Sequence, residues 1–207
     1  MSSTHVRPVP GPDDDLALSA PLWRALVEHH RGVAGDDLPV RDADDAWAMR
    51  RQEYRTWLDD GSGTLLVAGS EQPDGYAFCR LVRSGPTFDF GQARGEVESL
   101  VVAPHARGGG VGMALLEACR RHLRSRGCTH WTVSVMAAND GAVQLYQRVG
   151  FRPWLLELAA PLDDEEPGDE RAPFLLGTGQ AGGHAPSLPA DQVHGTSPGA
   201  RTGDCTP

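Results

Sequence analysis

The chain has 207 residues, enough for one domain with a substantial core. Its formal net charge of -9 argues against a nucleic-acid partner held by bulk electrostatics. It carries no apolar run of about 18 residues of the kind that spans a membrane, and its polar start, Met1 to Asp15, lacks the apolar core of a signal peptide. Cys79, Cys119, Cys128 and Cys205 show no C-x-x-C spacing, so they read as reduced thiols of a cytoplasmic protein, the first three packed. The histidines are scattered and form no ligand pair with them, so no metal is expected.

Residues 1–12 are expected to be flexible, apart from a short edge strand near 4–10 that its prolines allow only at the sheet margin. From Asp13 to Ala34, Leu16, Leu18, Leu22, Leu26 and Val27 suggest a helix entered near Ser19-Ala20-Pro21, with proline in the first turn. After a loop, a second helix spans Asp42 to Leu58 and carries Trp47, Tyr54 and Trp57. Thr64–Ala68 and Tyr76–Val82 read as strands. They flank Gln72-Pro73-Asp74-Gly75, whose turn chemistry makes an antiparallel hairpin. A loop over 84–95 precedes a strand from Glu96 to Ala103. A helix over Val111–Arg126, stopped by Gly127, places Val111, Ala114, Leu115, Ala118 and Cys119 on one side. Trp131, Val133 and Val135 alternate as in a strand, and a helix over 140–149 and a strand over 151–159 close the domain. Beyond Pro161 the chain turns acidic and then rich in Gly, Pro, Ala and Thr, so 162–207 is expected to be a disordered tail. Its one short apolar run is Pro173-Phe174-Leu175-Leu176. The expected domain is therefore 13–161, an α/β fold with a mixed sheet and helices on its faces.

The stretch Arg107-Gly108-Gly109-Gly110-Val111-Gly112 joins an apolar strand to a helix. The first turn of a helix has N–H groups without internal partners and a partial positive charge. Glycines let a ligand come close to that backbone, so the stretch is an anion cradle suited to a pyrophosphate. A P-loop would need Lys and Ser or Thr after its last glycine; Met113-Ala114 stand there. A dinucleotide fingerprint needs a third glycine, where Leu115 stands, and its acidic ribose partner is missing near Thr132. What remains is R-x-x-G-x-G, at Arg107, Gly110 and Gly112.

Downstream, Asn139 to Phe151 reads N-x-x-A-x-x-L-Y-x-x-x-G-F, through Ala142, Leu145, Tyr146 and Gly150. Asn139 or Asp140 suits a helix N-cap, and Gly150 suits the left-handed residue that ends a helix. The two motifs, in this order, resemble the GCN5-related N-acetyltransferase (GNAT) family over about residues 15–160. The resemblance implies a mixed, mostly antiparallel central sheet in which the strand before the cradle splays from the next one, and the coenzyme enters the gap. It also implies acetyl transfer from acetyl-CoA, as co-substrate, to a primary amine of a small molecule or peptide. The transfer would be direct, through a ternary complex. Dimers are common in the family. A non-catalytic acyl-CoA sensor is the alternative on the same scaffold. An enzyme acting on aminoacyl-tRNA is disfavoured by the acidic balance.

The chemistry sets requirements. At pH 7 the free form of an alkylamine costs about 4.6 kcal/mol to populate, so a proton acceptor is needed; the leaving thiolate benefits from an acid. Glu96 and Glu98 are two apart on the strand into the cradle, hence on one sheet face, and one of them is the candidate base, directly or through water. By the resemblance, main-chain groups of Leu100, Val101 and Val102 serve the thioester and pantetheine. N–H groups from Arg107 through Gly108, Gly109, Gly110, Val111 and Gly112 hold the pyrophosphate. Asn139 approaches the arm from across the gap, and Tyr146 is the general acid. The acceptor would be set by the two N-terminal helices and the 84–95 loop, which carry Trp23, Trp47, Tyr54, Trp57, Phe88, Asp89 and Phe90. His105 reads as a solvated loop residue, and His29-His30 as a helix surface pair.

Overall fold

The hairpin turned by Pro73 and Asp74 lies at the centre of the sheet. The computed structural model describes residues 4–9, 14–35, 38–69 and 72–160. The expected tail over 162–207 and half of the stretch 1–12 fall outside them. The elements are β1 (Val6–Pro8), α1 (Asp14–Ala34), α2 (Ala43–Asp59), β2 (Gly63–Ala68), β3 (Gly75–Arg83), β4 (Ala93–Val102), α3 (Val111–Ser125), β5 (Trp131–Val133) and α4 (Asp140–Val149). The chain divides into two units, Met1–Glu157 and Leu158–Pro207, and all these elements belong to the first. The sheet order is β1-β2-β3-β4-β5. Every pairing is antiparallel except β4 with β5. Among the described residues no helix is long and apolar enough to cross a membrane.

Each sheet face is covered by a helix pair. On one side α1 and α2 bring Leu16, Trp23, Val27, Trp47 and Tyr54 onto Leu65, Val67, Tyr76, Phe78 and Val101. Tyr54 stacks flat on Phe78, with ring centroids 4.0 Å apart. On the other side α3 and α4 bring Val111, Leu115, Leu116, Cys119 and Tyr146 onto Leu66, Ala77, Cys79 and Val97. The strict alternation of β3, with Tyr76 and Phe78 toward one pair and Ala77 and Cys79 toward the other, is the two-residue period of a strand buried on both faces. Cys79, Cys119 and Cys128 are free, buried thiols.

Three expectations are corrected. The first helix already runs from Asp14, so Pro21 lies in its interior rather than at its entry. An interior proline costs about 3 kcal/mol. Burial of Leu16, Leu22, Trp23 and Val27 offsets this, at roughly 1.5–3 kcal/mol per large apolar side chain. β4 starts at Ala93, not Glu96, because Ala93, Arg94 and Gly95 pair with Arg83, Val82 and Leu81. The strand expected over 151–159 is absent: 151–160 has no ladder partner. Pro153 offers no N–H where such a strand would begin. Phe151 packs on Trp131, centroids 4.4 Å apart, and Trp154 turns aside to Phe88 and Phe90 at 5.1 and 5.6 Å.

Candidate active site

The cradle begins where β4 ends. A single 3-10 turn, Pro104–Ala106, leads to Arg107 and the glycines. Gly108 and Gly110 have φ of +76° and +85°, and Gly110 is the N-cap of α3. Only glycine takes this left-handed geometry without strain. No side chain caps the helix. The N–H groups of Gly108, Gly110, Val111, Gly112 and Met113 find no acceptor among the described residues. A Cβ on Gly108 or Gly110 would meet nothing within 4 Å, so the space over the loop is open to a ligand. These donors, with the helix dipole behind them, fit a diphosphate. The Arg107 side chain is exposed and folds back, its Nε donating to the Val102 carbonyl at 3.3 Å.

Beside the cradle the sheet opens. β4 pairs with β5 only from Gly95↔Trp131 to Val97↔Val133. From Glu98 to Val102 it keeps β3 on one edge and has no β5 partner on the other. In an antiparallel ladder alternate N–H and C=O groups point away from the paired neighbour, so main-chain groups of Leu100, Val101 and Val102 alternate into this gap. The Val101 side chain packs toward α1 and α2, and Leu100 and Val102 toward α3. Asn139 is the N-cap of α4. Its Oδ1 accepts from Ala142 N at 3.2 Å, and its Nδ2 meets His29 Nε2 of α1 at 3.2 Å. Tyr146, 8% exposed, sits on α4 among the α3-side residues, edge-on to Phe151 at 5.7 Å. Its hydroxyl has no hydrogen bond among the described residues. Burial, with Cys119 nearby, pushes its pKa up to about 12.

Glu96 and Glu98 do share a face, the one toward α1 and α2. The β3–β4 register shifts between Phe78 and Cys79: Ser99 faces Phe78, Val97 faces Cys79, and Glu98 is the extra residue of a bulge. Consecutive residues Glu98 and Ser99 therefore point the same way. Ser99 Oγ shares a 2.5 Å hydrogen bond with the Tyr54 hydroxyl, in a site where burial raises the Tyr54 pKa well above its usual range and that of Tyr76 to about 12. Glu98 is bound by Arg50 through Oε1 and by Arg80 Nε through Oε2 at 3.0 Å. Glu96 Oε2 meets Arg80 Nη2 at 2.6 Å as an ion pair without hydrogen-bond alignment, and Oε1 lies 3.6 Å from Arg94.

Residues 23–151, spanning both motifs, the cradle and the gap, match the Acetyltransferase (GNAT) family. The chain belongs to that family. Among its relatives, the mycothiol acetyltransferase of Saccharomonospora viridis is 31% identical over 144 residues, which is 69% of this chain and 44% of that protein. That of Paenarthrobacter aurescens is 33% identical over 150 residues, 70% of this chain and 41% of that protein. The chain thus matches less than half the length of these relatives. A GCN5-related N-acetyltransferase structure from Ralstonia eutropha superposes with a TM-score of 0.59 at 26% identity, covering 77% of this chain and 99% of that one.

For a GNAT chain the surprises lie in the partners, not the motifs. Arg50 and Arg80, which grip the glutamates, come from α2 and β3 and carry no local signal. His29 is exposed beside His30, as expected of a helix surface pair, and also reaches the N-cap of a helix 110 residues away. His105 is exposed as expected, with Nε2 3.1 Å from Asp74 Oδ1. Among the described residues no three His, Cys, Asp or Glu side chains gather to hold a metal.

Proposed function

We propose that this chain transfers an acetyl group from acetyl-CoA to a primary amine of a small molecule or peptide, directly and within a ternary complex. The observation that carries the reading is the junction of two features. A strand leads into a glycine turn and the first turn of α3, where five N–H groups have no acceptor among the described residues, and the same strand is unzipped from its neighbour just before that turn. Acetyl-CoA supplies an activated thioester. The N–H groups of Gly108, Gly110, Val111, Gly112 and Met113, with the Arg107 side chain, hold the diphosphate, whereas those of Arg107 and Gly109 are spent on Pro104 and Ala106 carbonyls within the turn. Main-chain groups of Leu100, Val101 and Val102 receive the acyl arm along the open edge, and Asn139 faces it from α4. Glu98, or Glu96, accepts one proton from the amine, directly or through water. As the C–N bond forms and the C–S bond breaks, Tyr146 donates a hydrogen bond to the departing sulfur, which ends with the amine's second proton. The three buried free thiols suit a reducing cytoplasm.

Calorimetry with acetyl-CoA tests the cradle, and thiol release against a panel of amines, peptides and mycothiol precursors tests the transfer. Saturable binding and amine-dependent thiol release are expected. Folded protein that takes up no acetyl-CoA would overturn the reading.

A further inference from the structure

All four carboxylate oxygens of Glu96 and Glu98 are already engaged by guanidinium groups. Arg50 comes from α2, Arg80 from β3 and Arg94 from β4. The five side chains are 15–26% exposed, so the cluster is half-sunk and open at one rim. Three arginines against two glutamates leave one positive charge, answered at the rim by Glu53, 3.2 Å from Arg50 and 51% exposed. The cluster also borders the sheet opening, because Glu98 is both the bulge residue and the residue at which the β4–β5 ladder has just ended.

A simple cationic amine fits this arrangement poorly. To reach Glu98 it must displace a guanidinium, and a half-buried guanidinium stripped of its partner is strongly unfavourable. A molecule carrying both an ammonium and a carboxylate avoids the problem. Its ammonium replaces the arginine at Glu98, and its carboxylate takes the arginine that was displaced. The exchange is electroneutral and leaves no charge stranded. Aromatic rings keep the guanidinium groups beside Glu98 while they exchange partners: Arg80 lies 4.3 Å from the centroid of Trp57, and Arg50 lies 4.9 Å from that of Trp23.

We infer that the acceptor is an α-amino carboxylate, bound with its carboxylate on Arg50 and Arg80 and its amine on Glu98. The substrate's own carboxylate then unmasks the base. Once the arginines turn to it, a Glu98 lone pair faces the ammonium and takes one proton from it, leaving the neutral amine and a protonated Glu98. This assignment rests on the acetyl-transfer reading above and deepens it.

Trp23 and Trp57 touch the two arginines, so their fluorescence reports occupancy without any need for turnover or coenzyme. The test titrates the full chain with non-aromatic α-amino acids and, in parallel, with their matched carboxamides. At least one amino acid is expected to shift the emission saturably, with its carboxamide binding at least tenfold more weakly. Arg80→Gln is expected to abolish that difference while acetyl-CoA binding, read by calorimetry, stays within threefold of wild type. Equal binding of acid and carboxamide, or no response to any α-amino acid, overturns the assignment. The wild-type comparison decides this even if the variant does not fold. Failure of acetyl-CoA to bind would instead overturn the acetyl-transfer reading and leaves the acid–amide comparison legible on its own.

Discussion

Replacing Tyr146 by Phe tests the donor end of the reaction. Burial pushes its hydroxyl up to about 12, whereas an ordinary thiol titrates near about 8.5. Complete proton transfer to a thiolate of ordinary basicity would therefore run uphill by about 3.5 units, roughly 5 kcal/mol. In the proposed mechanism Tyr146 therefore acts by donating a hydrogen bond to sulfur as charge grows there. One such donor in a site shielded from water is worth roughly 2.7–4 kcal/mol, or about 10²- to 10³-fold in rate. The small residual exposure of the ring, 8%, puts the expectation at the lower end, about 10²-fold in kcat. The hydroxyl has no partner among the described residues, so its removal strands nothing, and Tm should move by less than about 2 °C. Thiol-release kinetics, calorimetry with acetyl-CoA and a thermal melt together separate these effects. A kcat within twofold of wild type, in a folded variant with unchanged coenzyme affinity, would remove Tyr146 from the chemistry.

Other substitutions and conditions probe the rest of the frame. Gly110→Ala meets open space but forces alanine to φ near +85°. It should cost about 1–2 kcal/mol of stability and, by re-aiming the first-turn N–H groups, weaken acetyl-CoA binding at least tenfold. An unchanged Kd by calorimetry would refute the cradle. Gly75→Ala places a Cβ 2.6 Å from the Val101 carbonyl oxygen and 3.3 Å from Leu115 Cδ1. Backbone cannot yield there without parting β3 from β4, so chemical denaturation should show a loss of roughly 1–3 kcal/mol. All three tyrosines of the chain, Tyr54, Tyr76 and Tyr146, have raised pKa values, the last two to about 12. Their protonated forms are favoured by folding. The stability they add is fully present below about pH 10 and is lost as pH rises through about 12, by roughly 2–3 kcal/mol for a two-unit shift. Absorbance at 295 nm should show no tyrosinate in the folded protein until unfolding sets in. A smooth titration near pH 10 with intact structure would contradict this burial.

Local chemistry was legible in the sequence and long-range pairing was not. The Pro73-Asp74 turn, the Asn139 cap and the glycine turn before Val111 each depend on residues within a few positions, and all form where their chemistry calls for them. The bulge at Glu98 is invisible to a period-two reading, because both halves of β4 alternate correctly when taken alone. The arginines on Glu96 and Glu98 could not be assigned either, since Arg50 is 48 residues from Glu98 in the chain. The stretch after Phe151 has the composition of a strand, but Pro153 and the short β5 leave it nothing to pair with.

The extra residue in β4 has a consequence for how such a chain can diversify. It reverses the phase of the strand midway, so the segment before Glu98 and the segment after Ser99 answer to different neighbours. On the proposed function, substitutions at Arg94 or Glu96 would refit the acceptor side while Leu100, Val101 and Val102 keep their register with β3. Deleting Glu98 would leave a regular ladder with every other side chain on its present face, and would cost the chain only the carboxylate that Arg50 and Arg80 hold.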